Sequence, residues 1–517
     1  MNNETPKINP WIIAAAVVLP TFMEVLDSSI VSVALSNIAG SLSVSSSQAT
    51  WVQTSYLISN AVVLPASAWF SAFFGRKRFF LASIAIFTAA SFMCGFAPSL
   101  GVLVLARVLQ GFGGGALVPL SQAVLLEAFP KEKRGQATAA WGMAVVVAPV
   151  LGPLLGGWIT ENYSWPWLFY INIPVGVVAF WMIRKFIDDP EYLRSVKPGK
   201  IDAVGFGLLT LWLGTLQIVL DKGQDADWFS ALWLRWFSAI SVVSLIALVI
   251  WELRAAAPIM NLRVLKNRNF LLGTMLITVF GAVVYSPQTL LPLFLQNLLN
   301  YTAFQSGLAQ YPRGIGSLLV LPLVAFLSNK MDNRILIVIG TILCGVSSLM
   351  MGDINLEVAK SSFTMANVVQ GVGISLLFVP LTTMAMGLLR NEEMGNASGI
   401  FNLMRNLGGS IGIAMVTTMA TRGAQAHQAY LVSHVTPYDT TYQTALNGVQ
   451  TTLAQSVGPA QAQVMAPGAI YNVLQQQSAL FAYADDFRWL AMVSFVSLLA
   501  VLWMKRVSPH KGTIVIH

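Results

Sequence analysis

Charge is what this chain has least of. Asp, Glu, Lys and Arg make up 10% of its 517 residues, against about 25% in an ordinary soluble domain. That deficit excludes a water-facing surface over most of the molecule. Cysteine is nearly absent: Cys94 and Cys344 both sit in apolar runs without metal-ligand spacing, which excludes a disulfide framework or thiolate cluster and points to packed or lipid-facing thiols. Histidine is as scarce. His427, His434, His510 and His517 are scattered, none lies beside an acid within an apolar run, and no HExxH occurs. Intramembrane metal catalysis therefore lacks its usual parts. With no GxxxxGK[ST] loop, ATP has no visible site. The expectation is a protein that is not an enzyme and uses no cofactor or metal.

Apolar residues make up 56% of the chain, with a mean hydropathy of +0.67. Runs of about 20 apolar residues, enough to cross a hydrocarbon core of about 30 Å, recur from end to end. They lack the alternation of barrel strands, so helices that satisfy their own backbone are expected. The predicted class is an all-α integral membrane protein with fourteen transmembrane helices. These lie near 12–36, 50–74, 79–98, 102–128, 136–160, 165–187, 202–220, 231–251, 270–298, 306–328, 334–352, 362–389, 396–421 and 487–505. The first run holds acids and no small-residue cleavage site, and reads as a retained span.

The net charge of +8 is an orientation signal and not a nucleic-acid one. Twenty-two Lys and Arg residues fall in one set of loops, near 76–78, 131–134, 184–200, 254–268, 330–334, Arg390 and the two ends; five, Lys222, Arg235, Lys360, Arg422 and Arg488, fall in the other. The first set is expected to be cytoplasmic, with both termini inside, which agrees with an even span count. Similar basic turns, GRKRFF at 75–80 and NKMDNRILI at 329–337, follow the second and tenth spans. They suggest two related six-helix halves. The expected units are 1–190, a six-helix bundle; 191–260, a Pro-bearing linker with two inserted helices; 261–421 with 487–517, a second six-helix bundle; and 422–486, an outer segment. In that segment YQTALNGVQTTLAQSV has helical spacing.

Two acids lie in the first span. Glu24 and Asp27 are three residues apart and share a helix face. A charged acid at mid-span costs about 2.5–3.5 kcal/mol and marks an ion or substrate path by default. Arg107, Arg313 and Arg405 fall within or near the edge of spans. Arg107 is the deepest and cannot shed its proton, so another helix must supply its partner; Asp27 is the candidate. Residues 144–159, AVVVAPVLGPLLGGWI, put Pro149, Gly152, Pro153, Gly156 and Gly157 in one span, where the glycines permit close helix approach and the prolines permit bending.

These stretches resemble the major facilitator superfamily. Ala148 to Gly157 is similar to its antiporter motif, with Ala148 for the first Gly. LARVLQG around Arg107 resembles its fourth-helix motif, whose Arg is implicated in proton coupling. LDSSIVSVAL around Asp27 resembles the first-helix motif of the fourteen-span drug:proton antiporter branch, with Ser32 where Asn is usual. LQIVLDKGQDADWF (216–229), PLTTMAMGLL and FNLMRNLGGSIG resemble EmrB-type efflux subunits. The loop after the second span departs from the family pattern. It keeps Gly75, Arg76 and Lys77 but has Ala72 where the family has Asp, so Glu127 is the candidate to replace that acid.

The resemblance implies a major facilitator fold and a proton-driven antiporter that exports hydrophobic drugs. It also implies a tripartite pump in the inner membrane of a Gram-negative bacterium, with an EmrA-type periplasmic adaptor and a TolC-type outer-membrane channel. Proton coupling falls to Asp27 and Arg107; the role of Glu24 is not carried over from the family, and its own position makes it a second proton site or a docking charge for cationic drugs. Substrate candidates on inner spans are Trp51, Gln53, Tyr56, Asn60, Gln110, Gln122, Tyr285, Gln288, Gln296, Asn402 and Arg405. The rival readings are a proton-independent facilitator and an exporter of an endogenous metabolite.

Overall fold

The computed structural model describes residues 9–130, 133–189, 202–256, 258–356, 360–433 and 435–504. Residues 190–201 at the start of the predicted linker unit, Lys131 and both chain ends lie outside the described residues. Among those described the regular structure is helical, with no strand. The first six long helices are α1 (Pro10–Ala34), α2 (Trp51–Phe74), α3 (Arg76–Gly95), α4 (Leu100–Ala128), α5 (Arg134–Asn162) and α6 (Trp167–Phe186). Next come α7 (Ala203–Lys222), α8 (Leu232–Arg254), α9 (Arg268–Asn297), α10 (Ala303–Lys330), α11 (Asn333–Gly352) and α12 (Lys360–Met386). The last three are α13 (Asn391–Ser433), α14 (Thr440–Val457) and α15 (Pro459–Leu502).

Twelve helices, α1 to α12, are long and apolar enough to cross a membrane among the described residues. The expectation of fourteen is not reached by that criterion. Of the expected spans, α13 and α15 are the two that do not meet it, and α14 is not among those expected. Helices α13 and α15 run 43 and 44 residues, so the expected boundaries at 421 and 487 fall inside continuous helices. Most of the expected outer segment is therefore helical, with α14 over the stretch of helical spacing. No residue of α14 is buried.

Packing follows a paired pattern. Helices α1 to α6 pack on one another, and α9 to α13 pack with α15. The two sets meet through α2 against α13 and α5 against α10. The second helix of each set thus meets the fifth of the other. Helices α7 and α8 pair together and lean on α2. Lys222 of α7 donates to Thr50 Oγ1 (2.5 Å), and Thr54 donates to Asp221 (2.6 Å).

Glycine faces explain the closest crossings. A Cβ on Gly152 would meet Ser29, and one on Gly156 would meet Val33 and Ile30, so α5 lies directly on α1. In the second set, Gly408 and Gly412 of α13 face Thr278 and Ala282 of α9 in the same way. Residues 408–412 read GGSIG, the letter pattern of a hydrolase elbow. Such an elbow needs a strand-to-helix turn; here the pattern is a packing face inside a helix.

Candidate functional site

The first-span acids sit where α1, α2, α3, α4 and α6 converge. Asp27 and Arg107 are both fully buried (0% exposed) and pair at 2.6 Å. Asp27 Oδ1 also accepts from Gln110 Nε2 (2.9 Å) and Asn172 Nδ2 (2.7 Å). Gln110 in turn donates to Ser91 Oγ at 2.8 Å. Arg107 Nη1 also donates to Gln110 Oε1 (2.7 Å), and its Nε to the Val52 carbonyl (3.0 Å). The Tyr56 ring lies 4.1 Å from the guanidinium carbon. Removing one member of a buried pair strands the other charge, at about 3–5 kcal/mol. The expected Asp27–Arg107 partnership is present, and Asn172 and Ser91 join it, while Arg107 Nη2 has no hydrogen-bond partner. Sequence reasoning missed both. Asn172, a polar residue inside the sixth apolar run, was a usable signal; Ser91 was not, because lone serines are common in spans.

Glu24 is buried one turn away. It accepts from Asn60 Nδ2 (2.8 Å) and the Tyr56 hydroxyl (3.1 Å). Tyr56 thus touches both acid sites. Of the substrate candidates, Tyr56, Asn60 and Gln110 are committed to these networks.

At the end of the bundle bearing the basic turn, Arg76 and Glu127 form a two-pronged pair (2.6 and 3.0 Å). Glu127 thus takes up the Arg, as expected, but the pair ties α3 to α4 within one set and does not cross between sets. Gly75 adopts φ +84°, a value that favours glycine. The Lys77 amide donates to Asp189 (2.7 Å) and its ammonium pairs with Asp188 (3.0 Å), fastening the turn to the end of α6.

Contacts between the sets occur on both sides of a central cavity. Near the basic end, Ser398 Oγ and Asn402 Nδ2 both donate to Gln122 Oε1 (2.5 and 2.7 Å). On the other side, Gly307 of α10 faces the backbone of Pro153 and Leu154. Gln288 Nε2 donates to the Pro149 carbonyl at 3.1 Å. The reason is local: that carbonyl would ordinarily accept from residue 153, and a proline there has no N–H to give. The second proline of the motif therefore creates an acceptor, which the other set fills. Gly157 is buried on the same helix.

The cavity is small, about 30 Å³, and lies between α5, α9, α10, α12 and α13. Tyr285, Gln288 and Arg405 line it, with Arg313. Trp51, Gln53 and Gln296 do not. Trp51 is exposed under Lys222 at the inserted pair, and the other two are half-buried elsewhere. No group of three metal-ligating side chains occurs among the described residues.

The model of the major facilitator superfamily matches residues 17–413. The chain belongs to the major facilitator superfamily. It is 36% identical to the multidrug export protein EmrB of Haemophilus influenzae, over 99% of this chain and all of that one. It is also 36% identical to the fatty acid resistance protein FarB of Neisseria gonorrhoeae, over 96% of each chain. Among solved structures it resembles the proton:xylose symporter XylE bound to 6-bromo-6-deoxy-D-glucose, with a TM-score of 0.63, 13% identity and 97% of each chain covered. That likeness speaks to fold alone. The chain is a multi-pass membrane transporter related to EmrB-type multidrug exporters.

Proposed function

We propose that the protein is a proton-driven antiporter that exports hydrophobic drugs and toxic compounds from the cytoplasm or inner leaflet across the bacterial inner membrane, by alternating access. The buried Asp27–Arg107 pair is the observation that carries this reading. A proton arriving on Asp27 cancels the charge that holds Arg107, and its departure restores it. One charge crossing 100 mV is worth about 2.3 kcal/mol. A single hydrogen bond between the two sets contributes about 0.5–1.5 kcal/mol. One protonation is therefore large enough to tip the balance of a few such contacts.

A route for that coupling runs through packed residues. Two residues beyond Asp27, Ser29 lies against Gly152 and donates to the Ala148 carbonyl at 3.4 Å. The next carbonyl on α5, that of Pro149, holds Gln288 of the other set. A shift of α1 on protonation thus reaches the contact between sets through α5. The units that rock are residues 1–190 against 261–421 with 487–517. Residues 191–260 carry the inserted pair. Glu24 is a second proton site or a docking charge, and Gln122 with Asn402 closes the cavity towards the basic end.

The basic end faces the cytoplasm in this reading, with both termini inside. The far ends of α13 and α15, with α14, then project into the periplasm. An exposed helix such as α14, with Tyr438 beside it at 92% exposure, suits contact with an EmrA-type adaptor leading to a TolC-type channel. The names of the EmrB relatives support drug export.

The test is reconstitution of the full chain into vesicles with an imposed pH gradient, following uptake of hydrophobic dyes, alongside purification of adaptor bound to the same protein. Asp27→Asn is expected to lower gradient-driven transport about a hundredfold or more while the protein stays monodisperse, because general acid–base groups contribute about 10²–10⁴-fold where a proton must move. Undiminished coupled transport in Asp27→Asn removes that residue from the mechanism. Adaptor retained after deletion of 440–457 removes α14 from the contact.

A further inference from the structure

The turn that joins α7 to α8, residues 223–231, lies at the end of the bundle away from the basic turns, and it links the two sets of helices. Just before it, Thr54 of α2 donates to Asp221 (2.6 Å) and Lys222 donates to Thr50 Oγ1 (2.5 Å), which fastens it to the first set. Within it, the Trp228 indole N–H donates to Thr418 Oγ1 (3.1 Å) and Asp227 pairs with Arg422 (3.0 Å), both on α13 of the second set. The turn is tightly wound. Asp227 and Trp228 take φ +48° and +50°, a left-handed conformation that a side chain as bulky as Trp seldom adopts. The Trp228 amide donates to the Gly223 carbonyl (2.6 Å) and Ser230 Oγ donates to Asp227 Oδ2 (2.8 Å), which hold it there. Backbone kept in such regions is found at clamps and switch segments.

Towards the basic end the arrangement differs. Asn261, just after α8, exchanges two hydrogen bonds with Asn396 of α13 (3.0 Å each). There α13 also lies directly on α2, since a Cβ on Gly399 would meet the Leu64 carbonyl and Pro65. Rocking that opens the outer side pulls the outer ends of α2 and α13 apart, so one half of the turn's bonds has to break. The half on α2 is backed by the packing of α7 along that helix. The half on α13 is one neutral hydrogen bond and one ion pair whose side chains are 55% and 75% exposed, a kind that contributes little. We infer that residues 223–231 are the outer latch of the carrier. They join α2 to α13 while the outer side is shut, and opening breaks the Trp228–Thr418 and Asp227–Arg422 contacts while α7 stays on α2. The Asn261–Asn396 bonds, on the side that stays shut in that step, survive it. This gives the inserted pair a part in the cycle, moving with the first set. It rests on the alternating-access part of the proposed function, and not on the proton or the drug.

The experiment measures opening as a distance in the full-length protein. Spin labels go on Ser99→Cys and Asn355→Cys, exposed outer positions with one in each set; Cys94 and Cys344 are buried and out of reach of the label. Electron double resonance is expected to show a short and a long population. Trp228→Phe keeps a ring and removes the donor, and Thr418→Val keeps the shape and removes the acceptor. Each should raise the long-to-short ratio about fivefold, and both together no more than either alone, because they delete the same bond. Adding Arg422→Gln should bring the rise to about tenfold. Ratios unchanged in all three variants, each eluting as a single peak, overturn the latch and leave alternating access standing. Additive shifts from Trp228→Phe and Thr418→Val overturn it as well, since they mean general loosening and not one broken bond. A single fixed distance in every sample overturns both the latch and alternating access.

Discussion

Two polar regions lie within this bundle, one inside the first set of helices and one between the two sets, and they are built differently. In the first, Arg107 is neutralised by Asp27, and every nearby polar residue serves that pair: Gln110, Asn172, Ser91 and the Val52 carbonyl. In the second, Arg313 and Arg405 line a small cavity with Gln288, Tyr285 and apolar side chains, and no acid is among the lining residues. A closed network has no room for a ligand but is suited to an ion that binds one atom. The second is less closed, since Arg313 and Arg405 leave three donors over against one, Nη2, on Arg107. In the proposed function the first region moves a proton and the second holds a substrate; the first lies inside one set of helices and the second where the two sets meet.

The comparison breaks most visibly in stability. Arg107→Met strands the Asp27 carboxylate in the interior and is expected to cost about 3–5 kcal/mol, whereas Arg313→Met removes a charge with no acid partner and should be neutral or stabilising. Thermal unfolding of both variants in the same detergent measures the contrast; equal losses would mean that Arg313 has a counter-charge after all. Asn172→Ala comes next, since it deletes a hydrogen bond to a charged group, with an expected loss of about 1.5–3 kcal/mol in the same unfolding measurement. The smallest effect is expected for Gln288→Leu, which breaks the one bond linking the cavity wall to the Pro149 carbonyl and should contribute about 0.5–1.5 kcal/mol. Here the informative readout is transport: a change of a few-fold in rate with only that small fall in melting temperature locates Gln288 on the moving contact.

The apolar runs were legible because lipid demands them. A spanning helix needs about 20 residues with few charges, and α11 was expected at 334–352 and found at Asn333–Gly352. The same logic weakened for α13, whose Asn402 and Arg405 turn towards the other set or the cavity and so lower the hydropathy of the helix that carries them. Its continuation to Ser433 was invisible for a related reason: outside lipid a helix needs no apolar run at all. In the site, the acids and the deep arginine stood out because charge is rare in spans. The uncharged partners did not, because Ser, Asn and Gln are ordinary there. Trp51 shows the converse. It is the right type for a binding wall, but helical phase without a neighbour cannot say which way it faces, and the inserted pair claims it.

By itself the sequence determined that this chain lives in a membrane, roughly where its helices cross, and which few ionisable groups lie at depth, since each follows from the cost of placing polar atoms in hydrocarbon. Only the tertiary structure decided the partnerships. It brought Asp27 to Arg107 across 80 positions of chain, set Glu127 against Arg76, and placed Arg313 and Arg405 on the wall of one small cavity. Those are distances between helices, and a helix's own sequence fixes its surface but not what comes to lie against it.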